Sequence, residues 1–110
     1  MESHAGPLAV PVLVVAEVAY LVGTHLGPEA EVRFIGDLAA RAFVTIPLEE
    51  DDWLRIAELV SRYRDLPLGT VDASIVAAAE RLGIATVATL DRRHFSVVRP
   101  AHIAAFELIP

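Results

Sequence analysis

Apolar positions fall into four stretches with helical spacing and four short runs that suit strands. Val71, Ile75, Ala79 and Leu82 recur every three or four residues, so the spacing predicts a helix there. Pro67 and Gly69 break what precedes it. Thr70 offers a hydroxyl to the free amides of the first turn, and Gly83 suits the left-handed position just past the last turn. Ile84 to Leu90 is apolar and rich in β-branched residues, the composition of a strand buried on both faces in a parallel sheet. Asp91 closes that run, at the strand end that faces the ligand crevice in open α/β sheets.

Leu8 to Val10 reads as a short strand. Pro11 fits the first position of a helix reaching about Val22, after which Gly23 and Gly27 loosen the chain. Pro28 opens a second helix, with Glu29 and Glu31 in its first turn and an apolar stripe of Val32, Ile35, Leu38 and Ala39. Phe43 to Leu48 reads as a strand. Glu49, Glu50, Asp51 and Asp52 start the next helix rather than bind a metal, because acids favour helix N-termini. Trp53, Ile56, Ala57, Val60 and Tyr63 mark its expected buried face. Ser96 to Ala105 is irregular, and Phe106 to Ile109 is a last strand. This alternation predicts an α/β fold with a mainly parallel sheet. At 110 residues the chain makes one domain.

Composition narrows the chemistry. The net charge of −6 argues against a general nucleic-acid coating protein, but not against a nuclease with a local basic patch. All nine basic residues are arginine. No cysteine is present, which excludes disulfides, thiolate catalysis and Cys-ligated zinc. The most hydrophobic run, Leu8 to Val22, is shorter than a membrane span and contains Pro11 and Glu17. The default expectation is a soluble cytoplasmic protein with no membrane partner.

His4, His25, His94 and His102 show no zinc spacing, and neither a GxSxG nor a glycine-rich phosphate loop occurs. Carboxylates remain: Glu17 on a helix, Asp72 in a helix's first turn and Asp91 at a strand end. Taken singly, Asp72 complements the helix dipole and Asp91 opens a turn. Glu17 has the apolar neighbours Leu13, Val14, Tyr20 and Leu21, so it either faces the core or forms the helix's solvated face. If the three converge, oxygen-only ligands select Mg²⁺ or Mn²⁺, ions that serve phosphodiester chemistry.

The segments PVLVVAEVAYLV, LPLGTVDASIVAAAERLG and ATVATLDRRHFSVVRP, closing with FELIP, resemble a PIN domain of the VapC toxin type. The resemblance covers Leu8 to Pro110 and implies a PIN-like three-layer α/β sandwich. It implies a Mg²⁺-dependent endoribonuclease, the toxin of a toxin–antitoxin pair, that hydrolyses RNA, is blocked by a VapB-type antitoxin and forms a homodimer. By position, Glu17, Asp72 and Asp91 match three of the family's acidic, metal-holding active-site residues, and Thr89 matches a supporting hydroxyl. Arg92, Arg93 and His94 would flank the mouth, where they either hold RNA phosphates or form a solvated turn.

The resemblance departs at its start. The family opens with a strand ending in Asp, and here only MESHAGP precedes Leu8. The expectation is a PIN-like domain without its N-terminal strand, weakly stable or oligomeric, with little RNase activity. The alternative reading is therefore an inactive truncated remnant that still binds an antitoxin. A receiver-like phosphate-handling fold would need an Asp at the end of an early strand, and the chain shows none.

Overall fold

The computed structural model describes residues 8–88 and 92–109. They fall into two compact units, divided between Leu48 and Glu49. Within each unit helices alternate with parallel strands, as the apolar pattern predicts.

The first unit runs β1 (Leu8–Pro11), α1 (Val12–Leu26), α2 (Pro28–Ala39) and β2 (Phe43–Ile46). β1 and β2 pair in parallel, from Leu8 opposite Phe43 to Pro11 opposite Ile46. Pro11 ends the strand and caps the helix instead of opening it. α1 passes through Gly23, where the sequence suggested a break, and stops at Gly27, whose φ of 95° only glycine adopts readily. A Cβ at Gly23 would meet only the flexible end of the Glu31 side chain of α2, which can move aside. Phe34 and Phe43 then pack α2 on β2, with ring centroids 6.1 Å apart. No residue of α1 or α2 is fully buried, and Tyr20, Leu26, Val32 and Ile35 are exposed.

The second unit runs α3 (Glu50–Arg62), α4 (Thr70–Leu82), β3 (Thr86–Ala88), α5 (Arg92–Val97) and β4 (Glu107–Ile109). β3 and β4 pair in parallel, with Val87 opposite Leu108. The acidic group does start α3. Glu49 and Asp52 form a reciprocal capping box, in which the Glu49 N–H donates to Asp52 Oδ2 at 2.9 Å. The buried face differs from the expected one. Asp52, Ile56 and Leu59 point inward while Trp53 is exposed. Arg81 of α4 binds Asp52 Oδ2 at 3.1 Å, and that pairing fixes the rotation of α3.

α4 presents Ala73, Ser74, Val76, Ala77, Ala78 and Ala79 to the core, a broad face whose small side chains admit close neighbours. Thr70 is the first helical residue and not the cap. Gly69 takes the cap position, and no side chain bonds there. Gly83 adopts the left-handed conformation expected of it, with φ of 69°. Gly83→Ala should lower unfolding stability by about 1–2 kcal/mol, read from urea midpoints at unchanged m. A loss near zero would mean that the turn relaxes around the added methyl. Phe95, Val98 and Phe106 complete the core beneath α5.

Candidate active site

Asp72 lies in the first turn of α4, where backbone amides lack partners within the helix. The turn is well formed: the Ala73 N–H donates to the Gly69 carbonyl at 2.9 Å, and the Ser74 hydroxyl donates to the Val71 carbonyl at 2.6 Å. The Asp72 side chain is 32% exposed, and its Oδ2 lies 3.0 Å from Nδ1 of His94, whose ring is 13% exposed. An ionised carboxylate only accepts hydrogen bonds, so Nδ1–H is the donor. That bond orients the carboxylate.

His94 belongs to α5, a helix the sequence pattern did not predict. The expectation placed His94 beside Arg92 and Arg93, either on RNA or in a solvated turn. Its ring is instead mostly covered and bonded to Asp72. Thr89 and Asp91 lie outside the described residues, as do the side chains of Arg92 and Arg93. In sequence Asp91 precedes His94 by three positions.

Glu17 belongs to α1, in the first unit, and is exposed. Of its two readings, the solvated face holds and the core-facing one does not. α1 is apolar nearly all round, so its local pattern could not decide which side its one acid would take.

The acids of the second unit differ in what answers their charge. Asp52 is buried against Arg81. Glu80 accepts two hydrogen bonds of 2.8 Å from Arg55 and one of 2.8 Å from the Ala101 N–H. Burial alone would raise the Glu80 carboxyl. The Arg55 hydrogen bond, the Ala101 N–H, and the charges of Arg55 and His102 outweigh it and hold the pKa below the ordinary value. Asp72 has an imidazole where these two have guanidinium groups. Among the described residues no arginine pairs with it.

The donor chemistry of Asp72, a carboxylate on a side chain that is partly exposed, fits a hard divalent cation. Among the described residues no three His, Asp or Glu side chains gather as a metal would require, and Asp91 is not among those residues. No described helix is long and apolar enough to cross a membrane.

The Asp72–His94 contact is what reading the sequence missed. It joins residues 22 positions apart, and no local spacing announces it.

The profile of the PIN domain family matches residues 1–100. Over 110 residues, the whole of this chain and 82% of the relative, the sequence is 38% identical to Ribonuclease VapC26 of Mycobacterium tuberculosis.

Proposed function

The chain belongs to the PIN domain family and is of the VapC type, and from that premise we propose that it is a Mg²⁺- or Mn²⁺-dependent endoribonuclease, the toxin of a toxin–antitoxin pair. The relative's name supports the ribonuclease part of this reading. The observation that carries the metal part is the Asp72 carboxylate, held by His94 and partly exposed, with no arginine paired to it among the described residues. Asp72, Asp91 and Glu17 are the proposed metal-holding acids, with Thr89 supporting them. Bound there, the cation supplies Lewis-acid charge to the phosphate and acidifies a water.

The chain's own residues prepare that site. The first turn of α4 fixes the Asp72 backbone, and His94 fixes the side chain through Nδ1–H. An outer partner of this kind is worth about 10- to 100-fold in metal affinity or activity. His94→Ala should therefore slow RNA cleavage by about that factor. Single-turnover rates on a structured RNA measure it. A His94→Ala rate equal to the parent's would remove His94 from the site.

Metal binding has a direct test in thermal melting with Mg²⁺, with Mn²⁺ and with EDTA. An ion at 100 times its Kd stabilises the folded chain by about 2.7 kcal/mol. No shift with either ion in folded protein would sink the metal reading. Arg92 and Arg93 are proposed phosphate contacts. The proposed protein partners are a VapB-type antitoxin and a second copy of this chain. Exposed Tyr20, Leu26 and Val32 give the first unit apolar area for a partner. That area equally suits an inactive chain that binds an antitoxin, and the cleavage assay separates the two.

A further inference from the structure

Three arginines of the same unit, Arg62, Arg64 and Arg99, adjoin Tyr63 in sequence or through a backbone hydrogen bond. The Tyr63 hydroxyl accepts the Arg99 backbone N–H at 2.9 Å, and the Arg62 guanidinium stands over the Tyr63 ring, 5.5 Å from its centroid. Arg64 folds back on α3 and donates to the Ser61 carbonyl and hydroxyl, both at 2.9 Å. Arg99 donates to the Ser96 and Val97 carbonyls at 3.1 and 3.3 Å.

These arginines are held by neutral oxygens and an aromatic face. Among the described residues none of the three is ion-paired, whereas Arg55 and Arg81 of the same unit bind Glu80 and Asp52. A guanidinium carries five N–H donors, so Arg64 and Arg99 each keep donors for a further acceptor. Complementing the α3 dipole would explain Arg62 and Arg64, at the C-terminal end of that helix. It would not explain Arg99, which comes from another segment. In a chain of net charge −6 the grouping also runs against composition.

Its position relative to Asp72 gives it meaning. Tyr63 ends α3 and leads through a short loop to the first turn of α4, which holds Asp72. Arg99 follows α5, which holds His94. The Asp72–His94 and Tyr63–Arg99 bonds thus tie the same two segments together. The Val98 N–H donates to the His94 carbonyl, so the helical path continues to Val98. At ~1.5 Å per helical residue, Arg99 lies roughly 8 Å along the chain from His94.

We infer that Arg62, Arg64 and Arg99, which adjoin Tyr63 in sequence or through the Arg99 backbone N–H, bind the phosphate backbone of single-stranded RNA beside the Asp72 site. Planar guanidinium groups match phosphate oxygens in pairs, and partial immobilisation lowers the entropy lost on binding. The ligand class rests on the ribonuclease reading, but the test reads binding and not cleavage, so the two fail separately.

The experiment measures anisotropy of a fluorescein-labelled single-stranded RNA in EDTA over a salt series. Each lost phosphate contact should lower the slope of log K against log salt by about 0.7, so Arg62→Ala, Arg64→Ala and Arg99→Ala combined should lower it by roughly 2. The same three positions changed to Lys should keep most of the slope, which a role confined to the guanidinium hydrogen bonds does not predict. An unchanged slope in a folded triple Ala variant overturns the inference. Should that variant melt below the parent, the single variants carry the test at about 0.7 each. Equal loss of binding to polyglutamate with an unchanged RNA slope would assign the surface to an acidic polypeptide and overturn it as well.

Discussion

Asp72→Asn should lower metal-dependent RNA cleavage by more than about 100-fold, beyond the upper end of what an outer partner such as His94 is worth. The amide keeps the size of the side chain and can still meet His94 through its oxygen. It removes the negative charge that a divalent cation requires. Folding should survive, because Asp72 is partly exposed and its partner among the described residues is the His94 imidazole, which Asn can still meet. Circular dichroism and the melting temperature should therefore match the parent while the rate falls. A folded Asp72→Asn protein that cleaves at the parent rate would show that the carboxylate only complements the α4 dipole.

Glu80→Ala should have the opposite signature, a large loss of stability from a residue outside the proposed site. Glu80 joins α4 to Arg55 of α3 and to the Ala101 N–H, and its side chain is 12% exposed. Truncation leaves the Ala101 N–H without its acceptor and Arg55 with only its exposed 3.3 Å contact to Glu58. Removing one partner of a fully buried pair costs about 3–5 kcal/mol, and Arg55 is partly solvated, so about 2 kcal/mol is expected. Urea midpoints at pH 7 measure it, and a loss under about 0.5 kcal/mol would place the pair with ordinary surface bridges. The pH dependence has a definite sign. Burial acts to raise the Glu80 carboxyl, yet Arg55 and Ala101 hold its folded pKa below the unfolded one. Its contribution is thus present above the unfolded value, about 4.3, and is lost as pH falls through the folded value. The gap between parent and Glu80→Ala should narrow from pH 7 to pH 3. A constant gap would mean that the carboxylate's charge is not what stabilises.

Most elements were legible because their signals are local. Pro28 opens α2, the acidic group opens α3, and Gly83 closes α4, each through backbone chemistry confined to one turn. Misreadings arose where the local signal does not decide. Gly23 looked like a break, but α1 runs through it to Leu26. Trp53 looked buried because the apolar pattern of α3 allows more than one phase, and a contact 29 positions away selects it, through Arg81 and Asp52. α5 has six residues, too few to show a helical period. The candidate site was legible as residue types, with Asp72 named from its place in a first turn. The geometry that sets it apart from Asp52 and Glu80 was not, because His94 reaches it from another helix.

The central claim is that Asp72, oriented by His94, holds a divalent cation. The most direct measurement follows the His94 imidazole protons by NMR during a Mn²⁺ titration, in the parent and in Asp72→Asn. With Nδ1 3.0 Å from the carboxylate, the ring of the parent should broaden at substoichiometric Mn²⁺, ahead of the rings of His25 and His102. In Asp72→Asn that early broadening should vanish. His94 signals that broaden no sooner than those of His25 and His102, or that broaden equally in both proteins, would contradict the account.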